Sequence, residues 1–311
     1  MGKSAFVFPG QGSQTIGMGR ELAENYAAAK KVFEEATEAL GFDIEAMIFD
    51  GDEETLKITE NTQPAIVTTS VACLEVLKEK GISPDVVAGL SLGEYTAHVA
   101  AGSITFADAV KLVRKRGKFM QEAVPIGVGT MAAIIGLTQA QVIDCCEQAE
   151  KIGVVEPANF NCPGQIVVAG EVSAVEKVCE TAKEKGAKRA LILPVSAPFH
   201  CSMLKPAGDK LAVELDKVVI HDGEIPVIAN VNAEYIKNKD EIKPLLIQQV
   251  STCVKWEDSI RKMIDDGVDT LIEVGPGKTL SGFAKKIDRT LNILNVEDLT
   301  SLEKTLERLE G

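Results

Sequence analysis

Short apolar runs alternate with stretches of helical spacing through most of the chain, the pattern of an α/β fold around a largely parallel sheet. Ser4 to Phe8 reads as a strand ending in Pro9-Gly10. Thr62 to Lys80 has helical spacing, with Pro64 in the first turn and Gly81 as its stop. A strand at Asp85 to Leu90 precedes helical patterns over Ser91 to Ala101 and Ala107 to Ala123. Further on, the pattern predicts a strand at Ile225 to Ala229, helices near Glu241 to Ser251 and from Glu257 to Asp266, and a strand at Thr270 to Val274.

The middle of the chain breaks this rhythm. Between Gly127 and Ser196 the order is strand (Met131 to Gly136), helix (Gln139 to Glu150), two strands turning at Asn161-Cys162-Pro163-Gly164, helix (Ser173 to Lys185) and strand (Arg189 to Val195). β-α-β-β-α-β is the ferredoxin-like order. The expected architecture is a large α/β domain, residues 1–126 and 197–311, interrupted by a small α+β subdomain at 127–196, with a cleft between them.

Composition narrows the function. The chain has 311 residues, 45% hydrophobic and 25% charged, with 33 Lys+Arg against 46 Asp+Glu and a net charge of −13. That excess of negative charge argues against nucleic acid or an anionic membrane as the main partner. No apolar run approaches the roughly 18 residues of a membrane span, and the N-terminus lacks signal-peptide layout, so a cytoplasmic protein is expected. The seven cysteines include no C-x-x-C pair and read as reduced, mostly buried thiols; no metal is expected.

Gly89-Leu90-Ser91-Leu92-Gly93 matches G-x-S-x-G, and its context gives it weight. The apolar Val86-Val87-Ala88 precedes it and a helical pattern follows, so Ser91 sits on a strand-to-helix turn, the setting of a nucleophile elbow. The turn presents the serine Oγ at a helix N-terminus, where the Leu92 N–H can stabilise an oxyanion. The bland alternative is a structural turn. A serine nucleophile needs a base, and the chain has three histidines. His98 lies seven residues along the same helix, which is about 10 Å by helical rise, and reads as a packing residue. His221 stands in the polar run His221-Asp222-Gly223-Glu224, a solvated loop. His200 follows the last strand of the insert, where the chain re-enters the large domain; elimination and position make it the candidate base, against a satisfied core histidine.

Five basic residues fall between Lys111 and Lys118. Lys111, Arg114, Lys115 and Lys118 share one helical side, while Arg116 lies with Leu112, Phe119 and Met120 on the apolar side. A guanidinium there needs an anion, since burial without a partner costs several kcal/mol. Two partners are open: an internal Asp or Glu, or a substrate carboxylate held bidentately by the fork.

Phe8-Pro9-Gly10-Gln11-Gly12-Ser13-Gln14, Thr62-Gln63-Pro64-Ala65, Gly89-Leu90-Ser91-Leu92-Gly93-Glu94-Tyr95, Arg116-Gly117, Pro198-Phe199-His200 and Glu273-Val274-Gly275-Pro276-Gly277 occur in this order. Together they resemble the malonyl-CoA:acyl carrier protein transacylases of fatty-acid synthesis and the acyltransferase domains of related synthases. The resemblance runs from residue 4 to about 290, and the close-set ends resemble a free-standing enzyme. It implies an α/β-hydrolase-like large domain with a ferredoxin-like insert and a Ser-His dyad that moves malonyl from malonyl-CoA to the phosphopantetheine thiol of acyl carrier protein through a malonyl-serine.

By this resemblance Ser91 attacks the thioester and His200 takes its proton, while the Gln11 N–H joins that of Leu92 in the oxyanion hole. Arg116 grips the malonyl carboxylate. Gln249 orients the histidine through its main-chain carbonyl, with Gln248 as the register alternative. Asn159 and Asn161 line the cleft, and Phe199 is the bulky residue associated with malonyl rather than α-methyl-branched groups. No cofactor is bound permanently, since phosphopantetheine arrives on a transient partner; neither nucleic acid nor membrane is engaged, and a monomer is one open option for the oligomeric state. At one position the chain departs, carrying Leu90 where the family usually has His.

Other readings carry less. A serine hydrolase, esterase or thioesterase, shares Ser91 and His200 but normally has an acid between them in chain order, where Asp108 and Asp144 lie. An acyltransferase of a polyketide pathway shares every motif. A non-catalytic carrier-binding homologue is expected to have lost Ser91 or His200. Gly275-Pro276-Gly277-Lys278-Thr279 is no P-loop, because position 272 is Ile, and Gly127 to Ala132 precedes a strand rather than opening a helix. Acyl carrier proteins are typically acidic, so a chain of net charge −13 needs a local basic patch. Lys111, Arg114, Lys115 and Lys118 lead the candidates, followed by Lys188 with Arg189 and Lys285 with Lys286.

Overall fold

The computed structural model describes residues 2–195 and 197–310. The subdomain boundary expected at Ser196 lies outside the described residues. β1 (Lys3–Phe8) leads through α1 (Arg20–Asn25), α2 (Ala27–Leu40), α3 (Ile44–Asp50) and α4 (Glu53–Lys57) into the long α5 (Thr59–Glu79). β2 (Val86–Gly89) is followed by α6 (Gly93–Ala100) and α7 (Phe106–Glu122). Next come β3 (Gly129–Ile135), α8 (Gln139–Ala149), β4 (Val155–Cys162), β5 (Gln165–Glu171), α9 (Val172–Glu184) and β6 (Arg189–Ile192). The chain closes with α10 (Lys205–Leu215), β7 (Val227–Ile228), α11 (Lys239–Gln249), α12 (Trp256–Asp265), β8 (Val268–Val274), α13 (Thr279–Ile287), β9 (Asn292–Val296) and α14 (Leu299–Glu310).

The described residues form two sheets. The first has the order β7-β2-β1-β8-β9 with every pair parallel. Ala5, Phe6, Val7 and Phe8 of β1 are all buried, as a parallel strand covered on both faces requires. β1 joins β2 on one side and β8 on the other, and the chain winds outward from β1 to β2 and β7 but from β8 to β9, so the carboxyl end of β1 lies at a switch point, where open α/β sheets hold ligands. The second sheet, β4-β5-β3-β6, is antiparallel throughout. It shares a separate core with α8 and α9, including Ile134, Val142, Val168 and Val175. The fold class expected from the pattern, α/β with a small ferredoxin-like antiparallel unit, is the one observed.

Some bounds differ from the pattern. α5 begins at Thr59, which puts Pro64 inside the helix rather than in its first turn. β6 ends at Ile192 because, after the Leu193 N–H meets the Met131 carbonyl, the chain turns back toward the first sheet. β7 shrinks to two residues, pairing with β2 and bridging Tyr235 through Ile228. All the cysteines except the half-buried Cys253 are buried. No helix of the described residues is long and apolar enough to cross a membrane.

Candidate active site

The loops after β1, β2 and β7 converge at the carboxyl edge of the parallel sheet. A Cβ on Gly89 would stand 1.9 Å from the Gly93 carbonyl carbon, and one on Gly93 would stand 2.1 Å from the Phe8 oxygen. Only glycine lets β2 turn into α6 this close to β1. Between them Ser91 is held at φ 53°, a left-handed conformation that a serine adopts at a cost of about 1 kcal/mol or more. Its N–H donates to Asn230 Oδ1 at 2.6 Å, and Asn230 Nδ2 donates to the Gly89 carbonyl at 2.7 Å, so one side chain clamps both sides of the turn. Leu92 stands just ahead of α6, where N–H groups lack intrahelical acceptors. The Leu90 N–H donates to the Phe8 carbonyl, which brings the Pro9-Gly10-Gln11 loop beside the elbow.

Of the three histidines, His200 reaches Ser91. Its Nε2 lies 2.6 Å from Ser91 Oγ, and its Nδ1 lies 2.8 Å from the Gln249 main-chain oxygen. A carbonyl can only accept, so the proton sits on Nδ1 and Nε2 offers a lone pair to the serine hydroxyl. Burial, and then the nearby Arg116 charge, lower the His200 pKa to about 4. His98 is buried with Nδ1 3.3 Å from Ser103 Oγ, and His221 is exposed, as their sequence contexts imply. Gln248 is exposed, so the register falls on Gln249.

Arg116 is 1% exposed, on the buried stripe of α7 with Leu112 and Met120. It makes no ion pair among the described residues. Its Nη1 donates to Gln63 Oε1 at 3.0 Å, and its Nη2 donates to Gln249 Oε1 at 2.9 Å and to Ser91 Oγ at 3.1 Å. The internal carboxylate that a structural role would call for is therefore not in contact. Beyond Gln249 lies the fully buried Glu94, whose Oε2 accepts from Gln249 Nε2 at 2.6 Å and the Asn230 N–H at 3.0 Å. Burial pushes the Glu94 pKa up to about 7 against the lowering effect of those hydrogen bonds.

Other expected residues stand further out. Asn159 and Asn161 are buried on β4, whose backbone meets Val254 just beyond Gln249, but neither bonds to Ser91, His200 or Arg116. Phe199 is buried in the main core beside His200. The Gln11 side chain points to Thr59 at 3.4 Å. Asp108 bonds Thr105, and Asp144 pairs with Lys185 on the insert, so neither acid meets His200. Arg114, Lys115 and Lys118 pair with Glu60, Glu214 and Glu122, which neutralises most of the leading basic cluster. Sequence reasoning missed the roles of Gln63, Glu94 and Asn230. Glu94 carried a signal, an acidic residue in the first turn of a helix whose surroundings are apolar; Asn230, two residues past a minimal strand, carried none.

Residues 5–305 match the acyl transferase domain model. The chain is 51% identical over 311 residues to the malonyl CoA-acyl carrier protein transacylase of Bacillus subtilis, covering 100% of this chain and 98% of that protein. The crystal structure of malonyl CoA-acyl carrier protein transacylase from Clostridium perfringens superposes with a TM-score of 0.97 at 51% identity, covering 99% of this chain and 97% of that one. A type II PKS acyl-carrier protein in complex with its malonyl-transacylase gives 0.96 at 44% identity, covering 98% and 99%.

Proposed function

The chain belongs to the acyl transferase domain family, and on that premise we propose that it transfers a malonyl group from malonyl-CoA to the phosphopantetheine thiol of an acyl carrier protein, supplying fatty-acid biosynthesis. The observation that carries this reading is Arg116, a buried guanidinium 3.1 Å from the candidate nucleophile with no carboxylate of its own. A malonyl group bonded at Ser91 Oγ ends in a carboxylate two carbons away, within reach of that fork. A general esterase has no use for such a charge, and with a carbonyl in place of a triad acid behind His200, the hydrolase alternative loses support.

In the first step Ser91 Oγ attacks the thioester carbon while His200 Nε2 takes the hydroxyl proton. The Leu92 and Gln11 N–H groups receive the oxyanion, each such donor being worth about 3 kcal/mol of transition-state stabilisation. Collapse breaks the C–S bond, and His200 returns the proton to the CoA thiolate. The carrier thiol then repeats the sequence in reverse, with His200 as its base. No cofactor takes part; the pantetheine comes with each substrate. The chain works in the cytoplasm, and its division into residues 1–126 with 197–311 and an insert at 127–196 is supported by all strands of the second sheet lying between Gly129 and Ile192.

For the acidic partner, the weight shifts to Lys188, Arg189, Lys285 and Lys286, all exposed. Arg189 and Gln165 flank Ile135 in one row of the second sheet, and Lys286 bonds Gln165, so the two basic pairs adjoin. Intact-mass measurement after brief exposure to malonyl-CoA tests the chemistry: one malonyl adduct on the wild type and none on Ser91→Ala is expected. Rapid release of free malonate whether or not carrier protein is present would overturn the transferase reading.

A further inference from the structure

Gln249 touches all three parts of the site. Its main-chain oxygen receives the His200 Nδ1 proton, its Oε1 receives Arg116 Nη2, and its Nε2 donates to the Ser91 carbonyl at 2.9 Å and to Glu94 Oε2 at 2.6 Å. An amide can be turned over, and the two orientations are not equivalent here. Turned over, Nε2 would face the guanidinium, donor against donor, and Oε1 would face Glu94 Oε2, acceptor against acceptor. Together with the Ser91 carbonyl, the buried oxygen of Glu94 therefore selects the orientation. The same oxygen holds the Asn230 N–H, and Asn230 clamps the elbow at Ser91 and Gly89.

Glu94 Oε1 is buried and without a hydrogen-bond partner among the described residues. A proton taken up by this carboxyl goes to Oε1 and leaves Oε2 as an acceptor, so the arrangement survives in both charge states. The intervening amide also matters: Glu94 stands close to Arg116 without occupying its fork, which a direct ion pair would close to a substrate.

We infer that Glu94 is a positioning residue for acyl-group selection, acting through Gln249 to keep Arg116 Nη2 aimed at Ser91 Oγ and free to receive the carboxylate of the incoming acyl group. The inference rests on the malonyl reading of the site. It is tested on the full chain by measuring kcat/KM with malonyl-CoA and with acetyl-CoA for the wild type, Glu94→Leu, Glu94→Gln and Arg116→Ala, with folding followed by circular dichroism. Glu94→Leu should lower the malonyl-to-acetyl ratio about 10-fold, the scale of one misdirected charge-assisted hydrogen bond. Glu94→Gln, whose amide oxygen replaces Oε2, should keep the ratio within about threefold. A merely structural role would depress both substrates equally and leave the ratio alone.

A folded Glu94→Leu with the wild-type ratio would overturn the inference, as would a Glu94→Gln ratio as low as that of the leucine variant. Should Glu94→Leu fail to fold, Gln249→Leu cuts the same link while keeping the main-chain oxygen for His200; its ratio must fall, and an unchanged ratio overturns the inference. Arg116→Ala separates the two levels. If it leaves the ratio unchanged, the malonyl reading itself fails; if it lowers the ratio while the Glu94 and Gln249 variants do not, only the positioning role fails.

Discussion

The parallel sheet carries a buried histidine at each end. His200 stands at the carboxyl edge, and His98 stands toward the amino edge, where α6 has run back along the sheet. Burial holds both rings near a pKa of about 4, with the Arg116 charge adding to the effect at His200. Their wiring is what differs. His200 bonds through both nitrogens, to Ser91 Oγ and the Gln249 carbonyl, whereas His98 meets Ser103 through Nδ1 and its Nε2 has no partner among the described residues. The amino end also opens on a cavity of about 830 Å³ lined by His98, Lys3, Val86, Val227 and Val268. A depressed pKa and an open cavity thus coincide at the end away from Ser91. Convergent donors and acceptors around Ser91 Oγ distinguish the other end, which is why pKa shifts alone are a probabilistic guide to function.

The sharpest way to break this comparison is to remove each ring. His200→Ala should reduce malonyl transfer about 10³-fold, within the range for loss of a general base. His98→Leu should leave the rate within about threefold; a folded His98→Leu protein without activity would remove the distinction. Next in size, Arg116→Ala should cost malonyl transfer roughly 100-fold, on the several-kcal/mol scale of a broken buried contact to charge, and acetyl transfer far less.

A smaller effect sharpens the electrostatics of the carboxyl end. With His200 neutral above its pKa of about 4, kcat/KM should hold down to mildly acidic pH and fall as the ring is protonated. Removing the Arg116 charge should move that acid limb upward by up to about one pH unit, measurable with acetyl-CoA as donor; an unmoved limb would mean burial alone sets the value.

The smallest effect belongs to the amino end and to stability. The unfolded His98 titrates near its ordinary 6.5 and the folded ring near about 4, so below pH 6.5 the unfolded chain binds the extra proton. Folded-state stability is therefore lost as pH falls from about 6.5 toward about 4. His98→Leu should flatten the fall in melting temperature over that interval, while leaving the share due to His200.

The sequence made Ser91, His200 and Arg116 legible for separate reasons. Ser91 stands between two glycines that the turn requires, His200 was the histidine left by elimination, and Arg116 broke an apolar stripe. The residues that hold them were harder to see. Glu94, Asn230 and the Gln63 side chain act across 136, 139 and 53 positions of chain, and such contacts leave no local spacing. The alternation of strands and helices was visible wherever both faces of an element met apolar neighbours, as in β1 and β8. α1, α3 and α4 are too short for a clear period, and β9 is a half-buried edge strand whose alternation is weak. α2 was readable from Ala29, Val32, Phe33 and Ala36, a helical stripe that the pattern-based reading passed over.

Ser91 at φ 53°, His200 at φ 62° and Ala233 at φ 58° share a backbone conformation natural to glycine. Glycine at any of the three would relieve about 1 kcal/mol of backbone strain. At Ala233, in the turn that follows Asn230, only a methyl group is given up for that relief. At Ser91 that relief would come with loss of the proposed nucleophile, and at His200 the loss of a buried ring bonded through both nitrogens would outweigh it. A population of variants selected for heat resistance alone would drift toward glycine at Ala233 and Ser91, and one selected for turnover would admit it at Ala233 only. The position on which the two selections disagree, Ser91, would mark the proposed nucleophile without reference to any substrate.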